Sequence, residues 1–351
     1  MVVAVAIDRA TSSRKDGPHL AELADTVTEQ VAATQTRVRR ARGFGVRAIG
    51  DRVFNLTTLA LALVILALLF GVTLDLVINA MPSIKTFGLH FLVSTDWDPT
   101  NDQYGALPFI YGTVVSSLLA LLIAVPLALG VALCLSEMVP TWLSHKLGFL
   151  VELLAAIPSV VYGLWGIFIM GPWLRDHVDP LLAKYLGFLP FFQGPQISVS
   201  MLSAAVVLAI MVLPYISAVC TDVFRVVPQT QREAAYALGA TKWEMVRMAV
   251  LPFGVSGVIG AVILGLGRAL GETIAVAMVI GNRPEISASV FMPSSTLASV
   301  IANEFVEATS DLNLAALVEL GLVLLVLGLI LNVAARTLVY SSTQRRFSKG
   351  K

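Results

Sequence analysis

The sequence predicts an all-α protein that crosses a membrane six times, with both termini on one side. Three observations carry the prediction. Of the 351 residues, 57% are hydrophobic and only 13% charged, against about 45–50% apolar and about 25% charged in ordinary globular chains. With a mean hydropathy of +0.82, that composition excludes a soluble enzyme of ordinary type and a disordered chain. Six stretches, 56–78, 110–135, 147–171, 197–221, 253–280 and 314–337, are apolar and reach the roughly 18 residues a bilayer crossing needs. Each must be helical, because in lipid a helix satisfies its own backbone polar groups within one segment. Runs such as 59–70 do not alternate as barrel strands do. The third observation is the distribution of Lys and Arg. Nineteen fall in the N-terminal tail, the segments 136–146 and 222–250 and the C-terminal end, and four fall in the opposite loops. That asymmetry places both termini in the cytoplasm.

Residues 1–50 read as a cytoplasmic tail. Its first seven residues are apolar, but Asp8 and Arg9 follow at once, which is too short for a secretory signal. Arg37, Arg39, Arg40, Arg42, Arg47 and Arg52 form a basic belt before the first span. It is expected to meet anionic lipid rather than nucleic acid, since no aromatics interleave it. The membrane region is 51–340, and 341–351 is a short basic C-terminus. In the long loop 79–109, Trp97, Tyr104 and Phe109 are expected to anchor at the membrane interface. With Asp96, Asp98 and Asp102 they offer a second reading, a docking surface for an extracytoplasmic partner. Cys134 and Cys220 lie inside apolar runs and read as small buried hydrophobes. The four histidines show no ligand spacing, so no metal site is expected. Pro158 and Pro214 should kink the third and fourth spans.

No GxxxxGK[ST] phosphate loop occurs, so the chain is not expected to hydrolyse nucleotide or to bind a cofactor itself. GxSxG and HExxH are absent as well. Gly265, Gly267 and Gly271 have the wrong spacing for a dinucleotide loop and lie in a span. The loop 228–252, PQTQREAAYALGATKWEMVRMAVLP, is more structured than a connector requires. Pro228 suits a helix start, a helix is expected over 232–238, and Gly239 suits its stop. Thr241 and Glu244 have capping-box spacing for a second short helix over 242–250.

Glu152, Arg268, Glu272 and Glu319 lie within spans, and Asp75 near the end of the first. A charge at mid-bilayer costs about 2.5–3.5 kcal/mol on insertion scales, so it is usually buried in protein and paired. Glu152 and Asp75 sit near span ends and can reach water. Arg268 follows Pro252 by 16 residues, or about 24 Å of helix. Arg268 and Glu272, four apart, would share a helix face. Two readings stay open. The pair neutralises itself beside a Gly267/Gly271 packing face, or Arg268 lines a path and pairs with a passing anion, whose oxygens a guanidinium fork matches. Ser159 and Tyr162, beside Pro158, would be further hydrogen-bonding groups for that anion.

Glu233-Ala234-Ala235, three residues, Gly239, nine residues and a stretch ending Leu251-Pro252 resemble the EAA loop of binding-protein-dependent ABC importer permeases; Ala249 departs from the usual isoleucine. The resemblance implies the type I, MetI-like permease core and places Glu233, Ala234, Ala235 and Gly239 at the contact with a cytoplasmic ATPase. GLGRALGETIAVAMVIGN (265–282), WDPTNDQYGALPFIYGTVVSS (97–117) and LLAAIPSVVYGLWG (153–166) resemble the PstC-type branch, the phosphate importer permeases. That implies a substrate pathway at Arg268, Glu272 and Thr273. It also implies a second homologous permease (PstA-type), an ATPase dimer (PstB-type) that uses the ATP, and an extracytoplasmic phosphate-binding protein (PstS-type). Two alternatives remain: the same machine carrying sulfate or molybdate, and an ion-coupled secondary transporter, which leaves the EAA loop unexplained.

Overall fold

The computed structural model describes residues 46–348, with side chains over 51–337. The N-terminal tail, most of its basic belt and the side chains of the basic C-terminus lie outside the described residues. Every named element among the described residues is helical; the β contacts there are two isolated bridges. The chain forms two units, Met1–Val72 and Thr73–Lys351. Five helices are long and apolar enough to cross a membrane, or six if one sharply bent pair counts as a single span.

The first unit carries the start of α1 (Val46–Phe87), whose residues 51–71 are exposed apolar side chains for most of their length. In the second unit follow α2 (His90–Val93), α3 (Leu107–Leu133, closing in a π turn at Cys134–Met138), α4 (Thr141–Ala156) and α5 (Ser159–Leu186). Then come α6 (Met201–Arg225), α7 (Gln229–Ala237), α8 (Lys242–Leu270), α9 (Ile274–Val279), α10 (Leu297–Glu304) and α11 (Asp311–Ser348). The central element is α6: 61% of its span window is buried, against 33% or less in the other candidate spans. It packs on α3, α8, α4 and α9. Close approach to α3 is possible because α3 presents Ala120, Ala124, Ala128 and Ala132, each fully buried and spaced by one helical turn. Small residues at that spacing let two backbones come together. Pro214 stays inside an uninterrupted α6. Cys220 is buried in this core and both cysteines are free thiols.

Two predicted spans differ from expectation. Residues 147–171 do not form one helix: α4 and α5 meet at 86° across Ile157-Pro158. Residues 253–280 are likewise not continuous, since α8 ends at Leu270 and α9 starts at Ile274. The physical reasons are local. Proline supplies no amide and pushes its predecessor towards extended backbone, and Ile157 has φ −67°, ψ 127°. Gly271 closes α8 with φ −91°, ψ 0°.

The aromatics of the segment 79–109 are corrected too. They are not interface anchors but a buried cluster. Tyr104 and Phe109 are 2% and 1% exposed. Trp97 meets both edge-on, with ring centroids 5.1 and 4.9 Å away. Phe91, Leu297, Leu317 and Leu320 complete the cluster. The Trp97 indole donates to Glu304 Oε2 at 2.9 Å. Beside it, residues 293–299 fold back against α3. A Cβ at Gly112 would run into the Ser295 carbonyl oxygen, so only glycine permits this approach, and Leu297 N donates to Thr113 Oγ1 at 2.9 Å. Asp75 accepts the Asn79 amide and is exposed. Glu319 is 6% exposed and its Oε2 accepts no hydrogen bond.

Burial raises the carboxyl of Glu304 above its ordinary value, and the Trp97 hydrogen bond opposes the rise. A raised folded value favours the protonated form, so this group's stabilisation is present at low pH and lost as pH climbs through the folded value. Glu304→Gln keeps an acceptor for Trp97 and removes the ionisation. The variant is therefore expected to be more stable than wild type at pH 7, with the difference vanishing as pH falls below the ordinary carboxylate range. Chemical unfolding in detergent at pH 4 and pH 7 measures it.

Candidate functional site: two helix breaks and a charged pair

The two breaks are tied together through α6. In a continuous helix the carbonyls of Leu154 and Ala155 would accept from residues 158 and 159. Pro158 has no amide to give, and the bend takes Ser159 away. Leu154 O keeps only a long bond from Ile157 N, at 3.4 Å, and both carbonyls take tyrosine hydroxyls: Tyr162 donates to Leu154 O at 2.8 Å and Tyr215 to Ala155 O at 3.3 Å. Tyr215 reaches across from α6, and the Arg268 guanidinium lies over its ring, 5.7 Å from the centroid, within range of a cation–π attraction. Arg268 Nη1 in turn meets Glu272 Oε2 at 3.0 Å. At the second break, Thr273 Oγ1 donates to Gly271 O at 3.2 Å.

Arg268 and Glu272 thus pair, though not on a shared helix face, and Thr273 follows Glu272 with its hydroxyl turned to the Gly271 carbonyl. Glu272 lies beyond the end of α8, and the pair closes across that end. The two charges differ in exposure: the Arg268 side chain is 39% exposed and that of Glu272 4%. The carboxylate is fixed and the guanidinium has an open side. Gly267 and Gly271 share that open side. Among the described residues, and apart from its chain neighbours and its own helix backbone, nothing comes within 4 Å of a Cβ at Gly267; at Gly271 the Gly267 carbonyl lies 3.7 Å away. No intrachain packing face forms there. Tyr162 is occupied by the backbone, and Ser159 is half-buried at the start of α5. Tyr215 is the residue that sequence reading missed; its signal was a tyrosine directly after a proline inside an apolar run.

Residues 228–252 form a second candidate surface. α7 starts directly after Pro228, earlier than predicted. Gly239 has φ +82°, a conformation glycine adopts without strain. Thr241 N donates to Glu244 Oε2 at 2.8 Å and Glu244 N to Thr241 Oγ1 at 3.4 Å, completing the expected capping box. The second helix is not a separate short one: it runs from Lys242 to Leu270 without a break, past Pro252. Pro252 is the second residue of the α-helical run that follows the π turn Val246–Val250, and the break in the i→i−4 pattern there absorbs its missing amide. Glu233, Ala234 and Gly239 are exposed, whereas Ala235 is buried in the core and so faces away from any docking partner. The exposed large apolar side chains here are Tyr236, Leu238, Trp243 and Met248, the second 87% exposed. At the other edge of this end of the bundle, Glu152 is exposed and lines a crevice with Thr221, Asp222 and Arg225.

A bundle of lipid-length helices, two of them interrupted around a half-open charge pair, defines a multi-pass membrane protein of the transport class. Residues 124–341 match the model of the binding-protein-dependent transport system inner membrane component family, and the chain belongs to that family. Among its relatives, the phosphate transport system permease protein PstC of Mesorhizobium japonicum is 45% identical over 305 residues, 85% of this chain and 93% of that one. The protein of the same name from Haemophilus influenzae is 44% identical, over 86% and 96%. PstC 1 of Mycobacterium tuberculosis is 44% identical over 287 residues, 75% and 85%. A solved inward-facing structure of the MetNI methionine ABC transporter aligns with TM-score 0.49 at 17% identity, covering 66% of this chain and 94% of that chain.

Removing Arg268 leaves a buried carboxylate without a partner, whereas neutralising Glu272 leaves a cation that can turn to solvent. Arg268→Ala is therefore expected to cost about 1–3 kcal/mol, the penalty of a buried unsatisfied group, and Glu272→Gln less. Unfolding of the purified variants in detergent measures the order; equal costs would contradict the asymmetry.

Proposed function

We propose that the chain is the membrane-spanning permease subunit of an ATP-driven importer that carries inorganic phosphate across the inner membrane. The observation that carries the reading is the identity of about 45% over most of both chains with proteins named phosphate transport system permease. Arg268 supports it: a guanidinium with one open side at the meeting of two helix breaks can offer paired hydrogen bonds to an oxyanion. Glu272 keeps the empty site from holding an unpaired cation, and Thr273 and Tyr215 stand within the same cluster.

The basic-residue asymmetry supports six spans with both termini cytoplasmic, α4 and α5 together counting as the third span. The chain binds no cofactor. ATP is used by a PstB-type ATPase dimer, which docks on the 228–252 loop through Glu233, Ala234, Leu238 and Trp243. A PstA-type permease completes the passage, and a PstS-type binding protein delivers phosphate on the far side. The fork at Arg268 fits sulfate or molybdate oxygens as well, so the delivering protein sets the choice among oxyanions.

ATP-dependent uptake of labelled phosphate in vesicles holding the whole complex tests the reading. Arg268→Ala/Glu272→Ala removes the site without orphaning a charge. It is expected to assemble, hydrolyse ATP and lose uptake by about tenfold or more, the size of effect expected for one lost charge-assisted contact. Wild-type uptake should persist with sulfate and molybdate present. Normal uptake in the variant would remove Arg268 from the pathway. Uptake of a competitor in place of phosphate would overturn the cargo.

A further inference from the structure

At the end of the bundle that carries residues 228–252, one ion pair joins three elements. Arg232, on the first turns of α7, donates from Nη2 to Glu137 Oε1 at 2.7 Å and from Nε to Glu137 Oε2 at 3.3 Å. The same guanidinium reaches the carbonyls of Phe224, at 2.8 Å, and Val227, where α6 ends. Arg232 is 13% and Glu137 6% exposed in their side chains, so the pair lies inside the protein. Glu137 belongs to the π turn that ends α3.

A second arginine repeats the pattern at the same turn. Arg225, the last residue of α6, donates to Ser144 Oγ of α4 at 2.9 Å, and Ser144 donates to Leu135 O in the π turn at 2.6 Å. The ends of α3, α4 and α6 and the helix α7 are therefore bonded to one another through Cys134–Met138. The surrounding sequence does not require this. The exposed face of α7 lies opposite, and the loop could leave α6 without any tie to α3. A bidentate guanidinium with each of its three nitrogens hydrogen-bonded inside a protein holds its partners in one relative geometry.

We infer that the Arg232–Glu137 pair is the linkage through which movement of the 228–252 loop reaches the membrane helices, with Arg232 acting as a positioning residue and the π turn as its anchor. The inference rests on the importer reading for its biological meaning. A pull on α7 acts at once on the ends of α3 and α6, the two helices that pack most closely in the core. Through α6 it reaches Tyr215, which contacts both helix breaks. The loop touches the ATPase with one face and the bundle with the other, and Arg232 is the bond on the inner face.

The test compares wild type, Arg232→Met, Glu137→Gln and the double variant Arg232→Met/Glu137→Met in vesicles with the complete complex. Both phosphate uptake and ATP hydrolysis are measured, together with amide exchange of residues 229–237 in the purified chain. The single variants are expected to hydrolyse ATP within about twofold of wild type while uptake per ATP falls about tenfold or more, and α7 amides to exchange about tenfold faster as the tie is lost. The double variant buries no charge and keeps the volume, so it is expected to assemble even where a single variant does not, and to stay uncoupled. Wild-type uptake per ATP in a single or the double variant, or unchanged exchange in α7, would overturn the linkage. Failure of wild type to take up phosphate would instead overturn the importer reading, and the exchange measurement would still decide whether Arg232 holds the loop.

Discussion

A carbonyl or amide left unpaired at membrane depth has no water to turn to, and that constraint governs this structure. Most of the spans meet it by staying helical. The two that break meet it with side chains drawn from elsewhere. Leu154 and Ala155 lose the amides of residues 158 and 159 to Pro158 and the bend, Leu154 keeps only a long bond from Ile157 N, and two tyrosine hydroxyls make up the loss. Gly271 loses its continuation and takes the Thr273 hydroxyl. Non-helical backbone is tolerated in a membrane where it is buried in protein or lines a polar cavity. The breaks therefore mark the part of the bundle that is not simply lipid-facing scaffold, and they converge on Tyr215 and Arg268.

The same economy explains the distribution of charge. Glu272 is buried and Arg268 is half-open, so the pair stays neutral as a whole while keeping one guanidinium face unsatisfied by protein. A fully enclosed pair would be inert, and a lone arginine would be costly. At the other end the logic is reversed. Arg232 and Glu137 are both enclosed and every reach of the guanidinium is used, which suits a mechanical tie better than a binding site. Between these two ion pairs runs α6, the most buried helix, held to α3 along a stripe of alanines.

Much of this was legible in the sequence. Apolar runs gave the helical class, and Gly239, Thr241 and Glu244 gave the loop's turn and cap, because those signals act within a few residues. Arg268 and Glu272 stood out because charge in an apolar run is rare. What could not be read depended on distant partners. Trp97, Tyr104 and Phe109 resemble interface anchors in sequence, yet α11 and residues 293–299 cover them. Ala235 looks like a contact residue until the core beneath α7 claims it. Pro158 announced a kink, but not that Tyr162 and Tyr215 would be placed to donate to the freed carbonyls. Pro252, an equally strong signal, breaks nothing, since it directly follows the π turn Val246–Val250 inside α8.

If Arg268 lines the phosphate pathway, the open face of Gly267, Arg268 and Gly271 meets a water-filled passage. The most direct measurement is thiol accessibility at Gly267→Cys in a chain lacking Cys134 and Cys220, within the assembled complex. A cysteine there fills open space, so the fold should be unaffected. A lining position there is expected to label rapidly with a membrane-impermeant thiol reagent, slowed by phosphate, while Leu122→Cys, 73% exposed on the outer face of α3, stays unlabelled. Failure of Gly267→Cys to react, or reaction indifferent to phosphate and matched at Leu122→Cys, would contradict it.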